Sequence, residues 1–413
     1  MKKIFTLFFL VASISAFSQC EDDRYKAQIF DNVSVTSDVQ YGSNYTMLGN
    51  LQDLYLDIYQ PEGDTENSRP LIVMAHGGFF VAGSKEGDDV VPFCEDFAKM
   101  GYVVASIQYR LGMEADPLFP SEQTSTEAVV RGFHDYKAAI RFLRKTVEED
   151  GNPYGIDPDM VFSAGVSAGG FLSVHSLYMN ELDEIPAVVD TNKLGLGGGL
   201  EGLTGNSEYS SELVAGINIA GAIGDTSMID AGEKPLISFH GDMDGTVPFN
   251  IGTISLLGID LAVAMGSNTI HTKLNEVGIA NCLEVQEDED HVPHVGNPLI
   301  YDSLVVRSRN FLAHFVCGID LSCEYEDIAV GFVSDIGIDA KIYPNPSSDE
   351  IRIEVPRSDW NIEIYSVSGQ LVYSDNGLDN QIYMVKKERT GNGTFLLKMR
   401  SQLGVIHHKL IFN

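Results

Sequence analysis

The sequence predicts a large, mostly parallel α/β domain followed by a small antiparallel β-module. Three observations carry that expectation. Short apolar runs alternate with longer stretches of helical spacing from about residue 51 to residue 316, the pattern of a parallel sheet covered on both faces. After residue 341 the pattern changes to apolar–polar alternation broken by turns. With 413 residues, 44% hydrophobic and 21% charged, the chain has an ordinary globular composition and room for two or three domains at about 150 residues each.

Taken in order, LYLDIY (54–59) reads as a strand and PLIVMAHGG (70–78) as a buried strand entering a glycine turn. VVPFCEDFAKMG (90–101) is a helix closed by Gly101, and YVVASIQYR (102–110) is another buried strand. Residues 125–150 carry apolar side chains at helical spacing, and DMVFSAGVSAGG (159–170) is a strand running into a turn. VAGINIAGAIG, PLISFHG and CLEVQ supply later strands. Between them, 181–213 is polar and glycine-rich without periodicity, which fits a lid or substrate wall. Residues 19–322 are expected to form the α/β domain and 323–340 a linker. In 341–413, KIYPNPSSDEIRIEVP, WNIEIYSVSGQLVYS and GTFLLKMRSQLGVIHHKLIF predict a β-sandwich holding the single tryptophan, Trp360.

Residues 1–18 read as a secretory signal peptide: Lys2 and Lys3, an apolar core, and Ala16 and Ser18 at the −3 and −1 positions of a cleavage site. That core is shorter than the roughly 20 apolar residues of a membrane span, and no later stretch is long enough, so the mature protein is expected not to be transmembrane. Of five cysteines, one is left unpaired by any full pairing. Cys317 and Cys323 are near neighbours and the expected pair. No cysteine–histidine spacing suggests zinc, and no metal or cofactor is called for.

The net charge is −32. Residues 341–413 hold nine basic and eight acidic side chains, so the acidic excess belongs to the segment before them. Such a surface repels phosphate backbones and excludes nucleic acid as a partner.

The chemistry centres on Gly165-Val166-Ser167-Ala168-Gly169, a G-x-S-x-G sequence between a buried strand and a small-residue helix. A serine on so tight a turn needs Gly165 and Gly169 either side, because a Cβ there would strike the neighbouring strand or helix. An acyl-transfer nucleophile also needs donors for an oxyanion. The loop His76-Gly77-Gly78-Phe79 supplies them, with the N–H groups of Gly78, Phe79 and Ala168 favoured and His76 bracing the loop. The acid follows on the loop after PLISFHG, where Asp244 is preferred to Asp242. The base lies after CLEVQ, where His291 leads and His294 is second. His134, His175, His240 and His271 read as ordinary residues. Glu287, Asp288, Glu289 and Asp290 precede His291 and are expected to favour its imidazolium, raising the acidic limb of the pH–rate profile in a salt-sensitive way.

HGGFFVAGSK, YRLG, GIDPDMVFSAGVSAGG, HGDMDGTVPF and DHVP together resemble the α/β-hydrolase superfamily, on its carboxylesterase branch with an HGG oxyanion loop. The resemblance covers nearly all of 40–316 and implies Ser167 as nucleophile, His291 as base then acid, and Asp244 orienting the imidazole. Many relatives read HGGG where this chain has Phe79, a side chain that narrows the acyl pocket. YPNPSSDEIRI, IEIYSVSGQLV and LGVIHHKLIFN are similar to the C-terminal sorting domain of the type IX secretion system. That implies export by its machinery, with release or attachment at the outer cell surface. The expected activity is hydrolysis of small or polymeric carboxylic esters. Prolyl oligopeptidase-like peptidases share the serine and acid motifs but carry a large propeller first, for which there is no room before His76. A non-catalytic surface binding protein is the alternative from another class.

Overall fold

The computed structural model describes residues 20, 23–113, 121–256, 259–325, 341–355, 360–366, 371–378, 382–401 and 404–413. The expected signal segment 1–18 and linker residues 326–340 lie outside the described residues.

Eight strands build the main sheet: β1 (Val33–Tyr45), β2 (Leu51–Pro61), β3 (Arg69–Ala75), β4 (Val103–Ile107), β5 (Ile156–Val166), β6 (Ala215–Ile219), β8 (Leu236–Gly241) and β11 (Asn281–Gln286). Their spatial order is β1-β2-β4-β3-β5-β6-β8-β11. From β4 to β11 all pairs are parallel, whereas β2 runs antiparallel to both its neighbours. β3, β4, β6 and β8 are buried along their whole length, the physical reason they read as continuous apolar runs. β1 is an exposed edge strand whose weak alternation gave the sequence no signal.

Helices cover both faces. On one side pack α2 (Glu122–Glu148), α3 (Ala168–Tyr178) and α4 (Ser267–Val277); on the other, α1 (Val91–Lys99) and α5 (Pro298–Cys317). The Ser121 side chain accepts the Thr124 N–H and caps α2, so the helix begins a few residues before the expected 125. Gly101 follows α1 with φ +108°, the turn foreseen for it.

A short antiparallel sheet stands apart from the main one: β7 (Ala222–Ile223), which follows β6, pairs with β10 (Ile259–Gly266), which with β9 (Ile251–Leu256) lies between β8 and α4. The polar insert 181–213 follows α3. Its Val189 and Leu196 pack on Val130 of α2, and arginines hold its backbone. Arg110 donates to Gly195 O at 2.9 Å, Arg141 to Gly205 O at 2.9 Å and Arg144 to Ser210 O at 2.7 Å.

The C-terminal segment forms two antiparallel sheets. One is β12 (Lys341–Tyr343), β13 (Glu350–Glu354) and β16 (Ile382–Lys386). The other is β15 (Leu371–Leu378), β14 (Trp360–Ser366), β17 (Gly393–Ser401) and β18 (Gly404–Phe412). Ile351, Ile353 and Val385 from the first meet Trp360, Ile364 and Leu397 from the second in one core, a sandwich with Trp360 inside it.

The disulfides correct the sequence expectation. Cys20 bonds Cys317, with Cα atoms 5.7 Å apart, and Cys282 bonds Cys323, at 5.3 Å; Cys94 is free and buried. Cys317 ends α5, and Gly318 in the left-handed region turns the chain away from it. Cys323 is thereby carried to the start of β11 instead of back to its sequence neighbour. No helix among the described residues is long and apolar enough to cross a membrane.

Candidate active site

Ser167 sits between the last residue of β5 and the first of α3, at φ +52°. That value is costly for any side chain and persists only where the surroundings enforce it. The enforcement is visible. A Cβ on Gly165 would lie 2.0 Å from Gly169 O, and one on Gly169 would lie 2.1 Å from Ala75 O. The Ser167 N–H donates to Ile219 O at 2.7 Å, so β6 anchors the elbow from beneath.

The loops after β8 and β11 bring their residues to that hydroxyl. His291 Nε2 is 2.9 Å from Ser167 Oγ, and His291 Nδ1 is 2.6 Å from Asp244 Oδ2. Asp244 Oδ1 accepts the N–H groups of Thr246 and Val247, both at 2.8 Å. Burial opposes the charge on Asp244, but the contacts from His240 and His291 and the backbone N–H of Val247 outweigh it and hold the carboxyl well below its ordinary range. The runners-up are elsewhere: Asp242 accepts the Asp288 N–H at 2.7 Å. His294 is buried against the Asp89 backbone, and burial pushes it down to about 4. Of the acidic run before His291, Asp290 accepts the N–H groups of Gly245 at 2.9 Å and His291 at 2.8 Å, bracing the two loops against each other.

The loop after β3 closes the other side. Gly77 donates its N–H to Asp89 Oδ2 at 2.7 Å. His76 is fully buried, stacks on Tyr109 with ring centroids 4.4 Å apart and contacts Gly77 O through Nδ1 at 2.6 Å. Burial lowers its pKa. Among the described residues no backbone acceptor takes the N–H of Gly78, Phe79 or Ala168, and Phe79 and Ala168 line the same cavity as Ser167. Phe79 and Phe80 both have φ +59°, the region glycine occupies without cost.

A cavity of about 1120 Å³ opens onto Ser167. Phe79, Phe80, Phe171, Met113, Val129 and Met179 give it an apolar wall. Residues 181–188 of the polar insert form one side, and Ile254, Leu261, Val263 and Ala264 of the β9–β10 hairpin the other. The hairpin is what sequence reasoning missed: residues 251–266 are mostly apolar but interrupted by Thr253, Ser255 and Asp260, a pattern too irregular to separate a hairpin from a buried helix. At the rim stand Glu122, Glu181, Asp183, Glu184, Asp225 and Asp260, and no lysine or arginine is among the lining residues. Among the described residues no cluster of three or more His, Cys, Asp or Glu is placed to hold a metal ion.

Residues 56–194 match the family described as BD-FAE, and residues 341–413 match the secretion system C-terminal sorting domain. Gut esterase 1 of Caenorhabditis briggsae is 31% identical over 159 residues, covering 38% of this chain and 26% of its own length. Carboxylesterase 3B of Mus musculus is 35% identical over 130 residues, 31% of this chain and 21% of its own. The chain thus spans about a quarter of the curated relatives it matches. A solved structure of Thermogutta terrifontis esterase 2 phosphoramylated by tabun superposes with a TM-score of 0.50 at 23% identity, over 70% of this chain and 96% of that one, a likeness of fold. The chain is thus similar to BD-FAE over 56–194 and to the secretion system C-terminal sorting domain over 341–413, and it shares the fold of a solved esterase.

Proposed function

We propose that this protein is a secreted serine hydrolase that cleaves carboxylic esters through an acyl-enzyme on Ser167. One observation carries the reading: His291 bridges Ser167 Oγ at 2.9 Å and Asp244 Oδ2 at 2.6 Å, and Ser167 lines a cavity with an apolar wall. Ser167 Oγ attacks the ester carbonyl carbon while its proton passes to His291 Nε2. The N–H groups of Gly78, Phe79 and Ala168 hold the resulting oxyanion, each worth on the order of 10²–10³ in rate. Collapse breaks the bond to the alcohol oxygen, which takes the proton from His291. Water then attacks the acyl-enzyme, giving its proton to His291, and the carboxylic acid leaves with Ser167 reprotonated.

Asp244 keeps the imidazole in the tautomer with its proton on Nδ1 and stabilises the imidazolium that forms. The esterase relatives support the bond class, and the sorting domain supports export to the medium or the outer cell surface by the type IX machinery. The test is labelling by a serine-directed fluorophosphonate beside a panel of p-nitrophenyl esters, a feruloyl ester and a dipeptide amide. Ser167→Ala should remove both label and turnover, the latter by about 10⁶. Absence of label on the wild type would leave a binding protein, and preference for the amide would make it a peptidase.

A further inference from the structure

His240 is fully buried and takes no step in the mechanism above. Its Nε2 lies 3.0 Å from Val247 O and 3.2 Å from Asp244 Oδ2. Both neighbours are acceptors, so Nε2 carries the ring proton. Its Nδ1 lies 2.8 Å from Ser267 Oγ and, unprotonated, accepts the hydroxyl hydrogen. Ser267 Oγ in turn accepts from Asn218 Nδ2 at 3.2 Å, and Asn218 Oδ1 accepts the Gly221 N–H at 3.0 Å. Ser267 and Asn218 are also fully buried. The donors run one way, from β6 through the first residue of α4 to the turn that bears Asp244.

We infer that His240 is a positioning residue of the ester-hydrolysing site, which rests on the reading above: Ser267 and Asn218 fix its tautomer, and its Nε2–H pins the 244–247 turn so that Asp244 Oδ2 faces His291. The turn needs such a pin. Asp244 Oδ1 is already engaged by Thr246 and Val247, whereas Oδ2 has only the two imidazoles, His240 and His291. Val247 donates its N–H to Asp244 and receives His240 on its carbonyl, so one ring holds both ends of the turn. A histidine serving merely as core filler would need no directed polar chain, because phenylalanine would fill the space beside Phe249.

The consequence for pH has a definite sign. The titratable groups around the ring are Asp244 on its own loop, with His291 and Asp290 from the loop after β11; α4 and β6 contribute the uncharged Ser267 and Asn218. Without the His240 N–H, Asp244 Oδ2 is no longer held facing His291 and the contact between them weakens. The imidazolium then loses part of its partner, and the acidic limb moves to lower pH.

The test compares His240→Phe, His240→Gln and Ser267→Ala with the wild type. It measures fluorophosphonate labelling rate from pH 5 to 9, kcat and KM for p-nitrophenyl butyrate, and the urea midpoint. We expect His240→Phe to lose about 10²-fold in kcat, the scale of a misplaced catalytic group, with KM nearly unchanged and the limb lowered by about half a pH unit. His240→Gln, which keeps a donor at that place, recovers most of the loss. Ser267→Ala moves the limb the same way by less, and it carries the test if His240→Phe does not fold. A folded His240→Phe or Ser267→Ala with wild-type labelling and an unmoved limb overturns the inference. So does a loss that tracks the urea midpoint with glutamine no better than phenylalanine. A wild type that neither labels nor cleaves any ester overturns the esterase reading itself, and the inference with it, whatever the ranking of the variants.

Discussion

Three imidazoles away from the catalytic contacts make the fold sensitive to acid. Burial pushes His134, His271 and His294 each down to about 4, against about 6.5 in an unfolded chain. Between those values the unfolded chain takes up protons that the folded one refuses. The stability these groups contribute is therefore complete above about pH 6.5 and is lost as pH falls toward 4, at up to about 1.4 kcal/mol per pH unit for each. Burial raises Asp96, Glu233 and Glu284 instead, which favours the fold in acid and offsets part of the loss at the lower end. The urea midpoint should fall clearly from pH 7 to pH 5; an unchanged midpoint would show that these rings are already charged in the fold. At this scale the nucleophile was legible in the sequence, because a Cβ on either glycine two places from Ser167 would lie about 2 Å from a backbone oxygen, so no other residue fits. His240 was not, since nothing in HGDMDG tells a core histidine from one facing Asp244; that depends on where α4 and β6 bring Ser267 and Asn218.

Among the elements, the insert after α3 has two parts with different jobs. Residues 181–188 line the cavity, whereas the stretch beyond is fastened to α2 through Arg110. This guanidinium is wholly buried against Asp135, 2.8 Å away, and also donates to Tyr45 O at 2.8 Å and Gly195 O at 2.9 Å. It ties β1, α2 and the insert together. Arg110→Ala leaves Asp135 charged and buried with Thr204 as its remaining side-chain donor, and breaking a buried pair in this way costs about 3–5 kcal/mol. We expect that loss in urea unfolding, with trypsin cutting first at Lys193 in the loosened insert. A variant of native stability and unchanged cleavage pattern would remove Arg110 from this role. The insert was readable as an interruption because its glycines and polar residues break the strand–helix rhythm, yet its anchoring was not: Arg110, Arg141 and Arg144 lie far away in the chain and look like ordinary surface cations until folding brings them to the insert and buries the first two. The β9–β10 hairpin stayed hidden for the opposite reason, a mostly apolar stretch without a regular period. The strands from β3 to β8 were legible because burial on both faces leaves little but apolar side chains there.

Over the whole molecule, part of the acidic excess behind the charge of −32 lies where it can act on substrate. Composition alone placed the excess before residue 341; the fold gathers Glu122, Glu181, Asp183, Glu184, Asp225 and Asp260 from four separate stretches around one mouth, with no lysine or arginine among the lining residues. Such a rim over low-dielectric walls repels an approaching anion and does not hinder a neutral ester, and fields of this kind change encounter rates by about 10–10³. The apolar interior gives a carboxylate no compensating partner once it has entered. We therefore expect kcat/KM for p-nitrophenyl succinate, which bears one negative charge, to fall at least about tenfold below that for p-nitrophenyl butyrate at low ionic strength. The two rates are to be corrected for their unequal reactivity with hydroxide. Because the rim side chains are exposed, salt should screen them; at 1 M the Debye length is about 3 Å and the gap should narrow, while the butyrate rate changes little. Charge-neutral replacements Asp183→Asn, Glu184→Gln and Asp225→Asn, made together, should narrow it at low salt as well. A gap that ignores both salt and these replacements would place the discrimination in the shape of the cavity instead of its charge.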